Sequence, residues 1–277
     1  MLIFRSRKSQ ILDILLRPIL RRLGYDKNVT KDFLSSHYYH NNSNLENLLS
    51  IHSGFLKTSG WLESKNRNAS YKNGRLIPWL TYSSISFLEC IELKRMNIVE
   101  FGSGASTVWF SERCKKITSY EFDSSYASQT KQKCKANNLE IVTMDNFQTQ
   151  DLNKPNESIQ VLIDKDLQIL DLVAKQIVAT IDFKRFMEDV EKKIREADLV
   201  VIDGGMRNLA IHLTAEYANR NTLVLVDNTD VTQIRSGLSP LKTHDFIEIP
   251  FSGLTPLNPY GSQTSLFLRS LTNIEKL

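Results

Sequence analysis

From residue 97 onward, short apolar segments alternate with segments of helical length. This alternation predicts strands over residues 97–101, 116–122, 140–144, 198–203 and 222–227. It predicts helices over 106–114, 124–136, 183–196 and 206–219, and before the first strand over 78–91. Strands that are almost entirely apolar and separated by helices are typical of a parallel sheet covered on both faces. We therefore expect an α/β fold with a doubly wound, mostly parallel sheet.

The C-terminal part departs from this alternation. Strands are predicted over 246–250 and 264–269 with no helix between them, so they should form an antiparallel hairpin that completes a seven-stranded sheet. Residues 146–197 are longer than a crossover between two strands needs. We interpret them as an insertion that contains a loop over 153–158 and a short strand over 160–163.

We divide the chain into a helical N-terminal extension, residues 1–77, and a main domain, residues 78–277. Within the extension, a short helix is predicted over 44–51 and a loop over 64–75. Residues 1–23 predict a basic amphipathic helix that either docks on protein or lies on an anionic membrane surface.

The composition narrows the class of protein. The chain has 277 residues, of which 41% are hydrophobic, and a net charge of +4, without the basic stripe of a nucleic-acid-binding protein. Its three cysteines form no CxxC pair, so a reducing cytosol fits better than a disulfide or zinc framework. No run approaches the ~18 apolar residues of a membrane span. We expect a cytoplasmic protein, free in solution or in peripheral membrane contact through residues 1–23.

The segment over 97–107 carries the strongest chemical signal. Its apolar strand runs into Gly102 and Gly104, and the glycines bring the main chain close to a ligand at a predicted helix start. Glu100 lies inside the strand and needs a partner there, for which the ammonium group of a ligand is suitable. Glu121, 17 residues after Gly104, is placed to accept hydrogen bonds from ribose hydroxyls. Thr107 stands where a dinucleotide-binding turn has its third glycine, which weakens that alternative.

The segment Val99–Thr107 resembles motif I of the Rossmann-like (class I) S-adenosylmethionine-dependent methyltransferases, and the resemblance extends over residues 78–269. It is most similar to a bacterial subgroup with four further motifs, here Gly60–Ser64, Pro78–Tyr82, Ile202–Gly204 and Thr264–Phe267. The resemblance implies a methyltransferase that uses S-adenosylmethionine.

The resemblance also implies roles for individual residues. Gly102, Ser103 and Gly104 would pass under the methionine part of the cofactor, and Glu100 would face its amino group. Glu121 would bind the ribose. Ser106 and Thr107 would cap the helix and contact the cofactor carboxylate, and Asp145 would meet the adenine amine.

A second group of polar residues follows the next two predicted strands. Asp203 ends one strand, and Asp227 and Asn228 end the other, so we take these three as the candidate catalytic residues. In the metal-dependent catechol-type O-methyltransferases, residues of these types hold a magnesium ion. This chain departs from that pattern at Gly204 and Gly205, where the usual lysine is missing. Mg²⁺ bound by the three residues therefore stays an alternative to acids that bond amides and substrate hydroxyls without a metal.

We expect methylation of an oxygen on a small molecule or glycan. One alternative is a methyltransferase that acts on nitrogen, and another is a non-catalytic binding or scaffold protein with the same fold. A nucleic acid substrate is disfavoured because Asp203–Met206 replaces the Asn/Asp-Pro-Pro-Tyr motif of such enzymes.

Overall fold

The structure is a computed structural model that describes residues 54–149, 155–168, 170 and 172–270. The chain divides into two compact units, Met1–Leu62 and Glu63–Leu277. The helices predicted over 1–23 and 44–51 lie outside the described residues. In the described part of the chain, no helix has both the length and the apolar character needed to cross a membrane.

The second unit is built on a seven-stranded sheet with the strand order β5-β4-β3-β6-β7-β9-β8. Its strands are β3 Asn97–Phe101, β4 Lys116–Glu121, β5 Leu139–Thr143, β6 Leu199–Ile202, β7 Leu223–Val226, β8 Ile247–Leu254 and β9 Gly261–Leu268. A separate antiparallel pair consists of β1 Tyr71–Lys72 and β2 Arg75–Leu76. The pairs among β3 to β7 are parallel, and β9 runs antiparallel to both β7 and β8. The predicted doubly wound, mostly parallel sheet with an antiparallel C-terminal hairpin is confirmed.

Helices flank the strands along the chain. They are α1 Phe55–Thr58, α2 Trp61–Arg67, α3 Tyr82–Cys90, α4 Ala105–Ser111, α5 Ser124–Lys133, α6 Glu157–Leu167, α7 Leu172–Val178, α8 Phe183–Arg195, α9 Arg207–Tyr217, α10 Thr232–Gly237 and α11 Ser239–Thr243. Short 3-10 helices cover Leu93–Arg95 and Met144–Phe147.

The central strands read as continuous apolar segments because both of their faces are buried. In β6, Leu199 and Val201 belong to the core on one side of the sheet, and Val200 and Ile202 belong to the core on the other side. All four side chains are at most 1% exposed. Successive residues of a strand point to opposite faces, so a strand that is buried on both sides has no position that faces solvent.

The strand order reverses between β3 and β6, which fixes the place of a ligand site. From β3 the chain continues outward through β4 and β5, and it then returns to β6 on the other side of β3. Ligands of open α/β sheets bind beyond the carboxyl ends of the strands at such a switch point. The segments after β3, β6 and β7 therefore meet at one edge.

Three predictions of local structure were wrong. The strand predicted over 160–163 lies within α6, where buried Ile159, Ile163 and Asp166 recur at helical spacing and Asn156 caps the first turn. The loop predicted over 64–75 contains the end of α2 and the β1–β2 hairpin. The helix predicted over 78–91 begins only at Tyr82, because Thr81 has an extended backbone.

Candidate functional site

The turn after β3 is held against the turn after β6 by contact between two backbones. Gly102 has φ +95°, which favours glycine, and an ideal Cβ added to it would lie 2.6 Å from Gly204 Cα. A Cβ added to Gly204 would likewise lie 2.5 Å from Gly102 Cα. Both glycines are therefore required by the approach of one loop to the other.

Glu100 lies beneath this turn and is fully buried. Its carboxylate accepts hydrogen bonds from Ser106 Oγ at 2.6 Å, Thr107 Oγ1 at 2.5 Å and Ser119 Oγ at 2.9 Å. Burial raises the pKa of Glu100 to about 7, although the three hydroxyl donors act in the opposite direction. The structure thus places Glu100 under the start of α4, with its carboxyl group hydrogen-bonded to hydroxyl groups of the protein rather than open to a ligand's amino group.

Glu121 ends β4 and turns toward the glycine turn. Its Oε2 accepts hydrogen bonds from the Ser103 amide at 2.7 Å and the Ser103 hydroxyl at 2.8 Å. Its Oε1 accepts from the amides of Phe122 at 2.8 Å and Asp123 at 3.1 Å. A carboxylate has about four acceptor positions, and these donors fill them. Glu121 therefore lies beside the glycine turn, and hydrogen-bond donors of the protein itself satisfy its carboxylate.

A cavity of about 540 Å³ opens beside the turn, at the carboxyl ends of the central strands. One wall comes from the loop and helix after β3, and another from the residues that follow β6 and β7. Its lining is formed by Asn68, Ala69, Ser70, Leu76, Trp79, Ser103, Gly104, Ala105, Ser106, Tyr126, Thr130, Lys133, Asp203, Arg207, Asp227, Asn228, Thr255, Leu257, Asn258 and Tyr260.

The cavity brings together part of the predicted site. The residues in its lining that the sequence singled out are Ser103, Gly104, Ser106, Asp203, Asp227 and Asn228. Glu100, Gly102, Thr107, Glu121 and Asp145 are described residues that lie outside that lining. Thr107 accepts a hydrogen bond from the Gly104 amide at the start of α4, as its predicted capping role requires. Asp145 is exposed and accepts a hydrogen bond from Ser124 Oγ.

Asp203 and Asp227 form a carboxyl pair on the cavity wall. Asp203 keeps 22% of its side chain exposed, whereas Asp227 is 4% exposed and accepts a hydrogen bond from Thr264 Oγ1 at 2.5 Å. The two carboxyl groups lie close enough to influence each other's ionisation. Burial raises the pKa of both, and repulsion between them raises the pKa of Asp203 further. Such a pair retains a proton more readily than two separate surface carboxylates.

The side chains of two of the three predicted metal ligands are bound by a cation of the protein itself. Arg207 donates to Asn228 Oδ1 at 2.8 Å and to Asp203 Oδ1 at 3.0 Å. No group of three or more His, Cys, Asp or Glu able to hold a metal ion occurs among the residues that the structure describes. The residues therefore do not fit the predicted magnesium site, because the Arg207 guanidinium is bonded to the side-chain oxygens of Asp203 and Asn228.

Two contacts at the cavity, those of Arg207 and Tyr126, were not predicted from the sequence. Arg207 follows Asp203 by four residues, a spacing at which opposite charges often pair, and this was the available signal. Tyr126, in the first turn of α5, reaches Gly104, so that a Cβ added to this glycine would lie 3.1 Å from the Tyr126 hydroxyl. Nothing in the sequence near Tyr126 indicated this contact.

Comparison with known proteins adds the following. No protein-family model matches the chain, and no curated protein matches it. An O-methyltransferase from Bacillus cereus, in complex with S-adenosylhomocysteine, is 12% identical over 62% of this chain and 73% of its own, with a TM-score of 0.37. Precorrin-6y C5,15-methyltransferase from Geobacter metallireducens is 12% identical over 73% of this chain and 94% of its own, with a TM-score of 0.43. Spermidine synthase from Thermotoga maritima is 12% identical over 66% of this chain and 55% of its own, with a TM-score of 0.39. At these values the similarities carry no functional assignment, which has to come from the residues of the site.

Proposed function

We propose that this protein is an S-adenosylmethionine-dependent methyltransferase that methylates a hydroxyl oxygen of a small molecule or glycan. The observation that carries the proposal is the cavity itself. It joins the Ser103–Ser106 segment, which resembles motif I, to the Asp203–Asp227 carboxyl pair at the switch point of the sheet. A cofactor-binding segment and a proton acceptor thus face the same space.

The lining fits the amino-acid end of such a cofactor. Gly104 presents bare backbone to the cavity, and the lining also contains the Ser103 and Ser106 residues and the cationic Lys133. Lys133 is suited to pair with the carboxylate of the cofactor. For the nucleoside end, Glu121 lies one hydrogen bond from Ser103, and ribose hydroxyls would take the acceptor position that the Ser103 hydroxyl now fills.

When bound, S-adenosylmethionine supplies a methyl group on a positively charged sulfur. The protein has to hold the acceptor hydroxyl and take its proton. In its ionised form, Asp203 is the residue that accepts this proton, since its side chain is partly exposed in the cavity. Asp227 is held by Thr264, so the pair has a fixed orientation toward the cavity.

Calorimetric titration with S-adenosylhomocysteine tests the proposal. The folded protein should bind it, and Glu121→Ala should weaken binding by about tenfold or more, because a charge-assisted pair of hydrogen bonds is lost. The matched control is Glu89→Ala, which removes an exposed acid on α3 and should leave the affinity unchanged. Equal affinities for wild type and Glu121→Ala would refute the ribose assignment.

The acceptor class is tested separately by the release of S-adenosylhomocysteine. The purified protein is incubated with S-adenosylmethionine and a panel of sugars, phenols and amines. The proposal is supported by turnover with hydroxyl compounds, together with loss of that turnover in the Asp203→Asn variant. Turnover only with amines would instead favour the alternative of methylation at nitrogen.

A non-catalytic binding protein is the second candidate function. The observation in its favour is that the Glu121 carboxylate is saturated by four internal donors. In that case the Ser103 contact is a permanent part of the fold and not a position that a ribose takes over. Absence of S-adenosylhomocysteine binding by folded protein would select this candidate.

A further inference from the structure

Arg207 makes an unusually complete set of contacts for a side chain at a cavity wall. Its Nε donates to Gly204 O at 2.9 Å. Its Nη1 donates to Asp227 O at 3.0 Å and to Asn228 Oδ1 at 2.8 Å. Its Nη2 donates to Asp203 O at 3.1 Å and to Asp203 Oδ1 at 3.0 Å. A guanidinium has five N–H donors, and each of these bonds uses one.

These acceptors come from the ends of two neighbouring strands. Gly204 and Asp203 follow β6, and Asp227 and Asn228 follow β7. The Arg207 side chain is only 15% exposed, so its charge is held in the cavity wall rather than in solvent. Because all five donors are used by the protein, Arg207 acts through the residues that it holds and not by donating to a substrate.

The Arg207 guanidinium lies at the residues that were predicted to hold a metal ion. A divalent ion held by Asp203, Asp227 and Asn228 would collect their side-chain oxygens around one positive centre. The guanidinium already contacts the side-chain oxygens of Asp203 and Asn228 and the main-chain oxygen of Asp227. A second cation at the same oxygens would be repelled by the first.

We infer that Arg207 is a built-in cation that replaces a divalent metal in this site, and that it is the positioning residue for Asp203 and Asn228. The inference deepens the proposed function and rests on it for the role of Asp203 toward an acceptor. The replacement of the metal depends only on the contacts of Arg207. This replacement makes the site formed by Asp203, Asp227 and Asn228 independent of added metal.

Manganese binding, followed by the electron paramagnetic resonance signal of free Mn²⁺, tests the inference on the full chain. Wild-type protein should leave the signal unchanged at millimolar Mn²⁺. Arg207→Ala frees the oxygens and should bind Mn²⁺ at least ten times more tightly than wild type. Adding Asp203→Asn to Arg207→Ala should abolish the gain. Arg235→Ala removes an exposed arginine on α10 and is the matched control, which should behave as wild type.

Arg207→Lys separates charge from bulk. Lysine keeps the positive charge but makes fewer bonds, so this variant should still exclude Mn²⁺. Manganese binding by Arg207→Lys as tight as that by Arg207→Ala would overturn the inference, as would wild-type binding that Asp203→Asn removes. The wild-type measurement decides even if Arg207→Ala does not fold. Failure of the proposed function would show separately, as absence of S-adenosylhomocysteine binding in calorimetry.

Discussion

The buried Glu100 predicts how the folding stability of the protein depends on pH, and the size of this effect can be worked out as a free energy. Burial raises the pKa of Glu100 from the ordinary value of 4.5 to about 7. Each pH unit between those values corresponds to about 1.4 kcal/mol, so ionising Glu100 costs about 3 kcal/mol more in the folded protein than in the unfolded chain. Between the two pKa values the folded state binds more protons than the unfolded state. The stability that Glu100 contributes is therefore greatest below pH 4.5 and is lost as the pH rises to about 7.

Glu100→Gln removes the charge and keeps the shape. The amide can still accept the hydroxyl of Ser106 or Thr107, so the variant should fold. Relative to wild type, Glu100→Gln should become more stable by about 2 to 3 kcal/mol as the pH rises from 5 to 8. Urea unfolding at a series of pH values, monitored by the fluorescence of buried Trp109, measures this change.

Comparing the two proteins at each pH cancels the contribution of every other titrating group. Glu140→Gln is the matched control, because hydrogen bonds and charge from Lys193 lower the pKa of that partly exposed acid. It should produce no gain in relative stability between pH 5 and 8. If the wild-type and Glu100→Gln stabilities stay parallel across this range, the reasoning about the buried carboxyl is refuted.

Two further predictions concern the framework of the site. Gly102→Ala should cost more than 2 kcal/mol of unfolding free energy, since it adds a backbone clash to the strain of a positive φ. Gly74→Ala also has a positive φ but nothing within 4 Å, so chemical denaturation should show a smaller loss; equal losses would contradict the close approach. Asp166 accepts from the amides of Asn208 and Leu209, and Asp166→Ala should destabilise the protein by about 1 to 3 kcal/mol. A thermal melt that is unchanged from wild type would refute the importance of this buried acceptor.

The sequence predicted the fold correctly where both faces of a strand are buried. Both faces of β6 are covered, so Leu199–Ile202 reads as a short unbroken apolar run between segments of helical length, and this identifies the strand. The segment over 160–163 is also largely apolar, but it belongs to a helix whose buried positions are Ile159, Ile163 and Asp166. A buried acid that bonds helix amides is not visible as a core position in a hydrophobic pattern.

The sequence predicted where the site lies in the sheet, but it predicted only part of the contacts among the site residues. Parallel strands bring their carboxyl ends to one edge, so Ser103, Asp203 and Asp227 had to lie near one another. Sequence spacing does not show where a long side chain goes. Met206 has φ +56°, and α9 begins directly after it, so the local backbone rather than the motif sets the direction of Arg207.

The meeting of Gly102 and Gly204 has a consequence for how the ligand site of this protein can be redesigned. Where two main chains touch, no mutation can add bulk, so the two turns that hold the site together are closed to redesign. The cavity lining contains Trp79, 47% exposed, and Tyr260, 63% exposed, together with Leu257 at φ +72°. Libraries that reshape the cavity should therefore vary the hairpin loop around Leu257 and leave the glycine loops untouched.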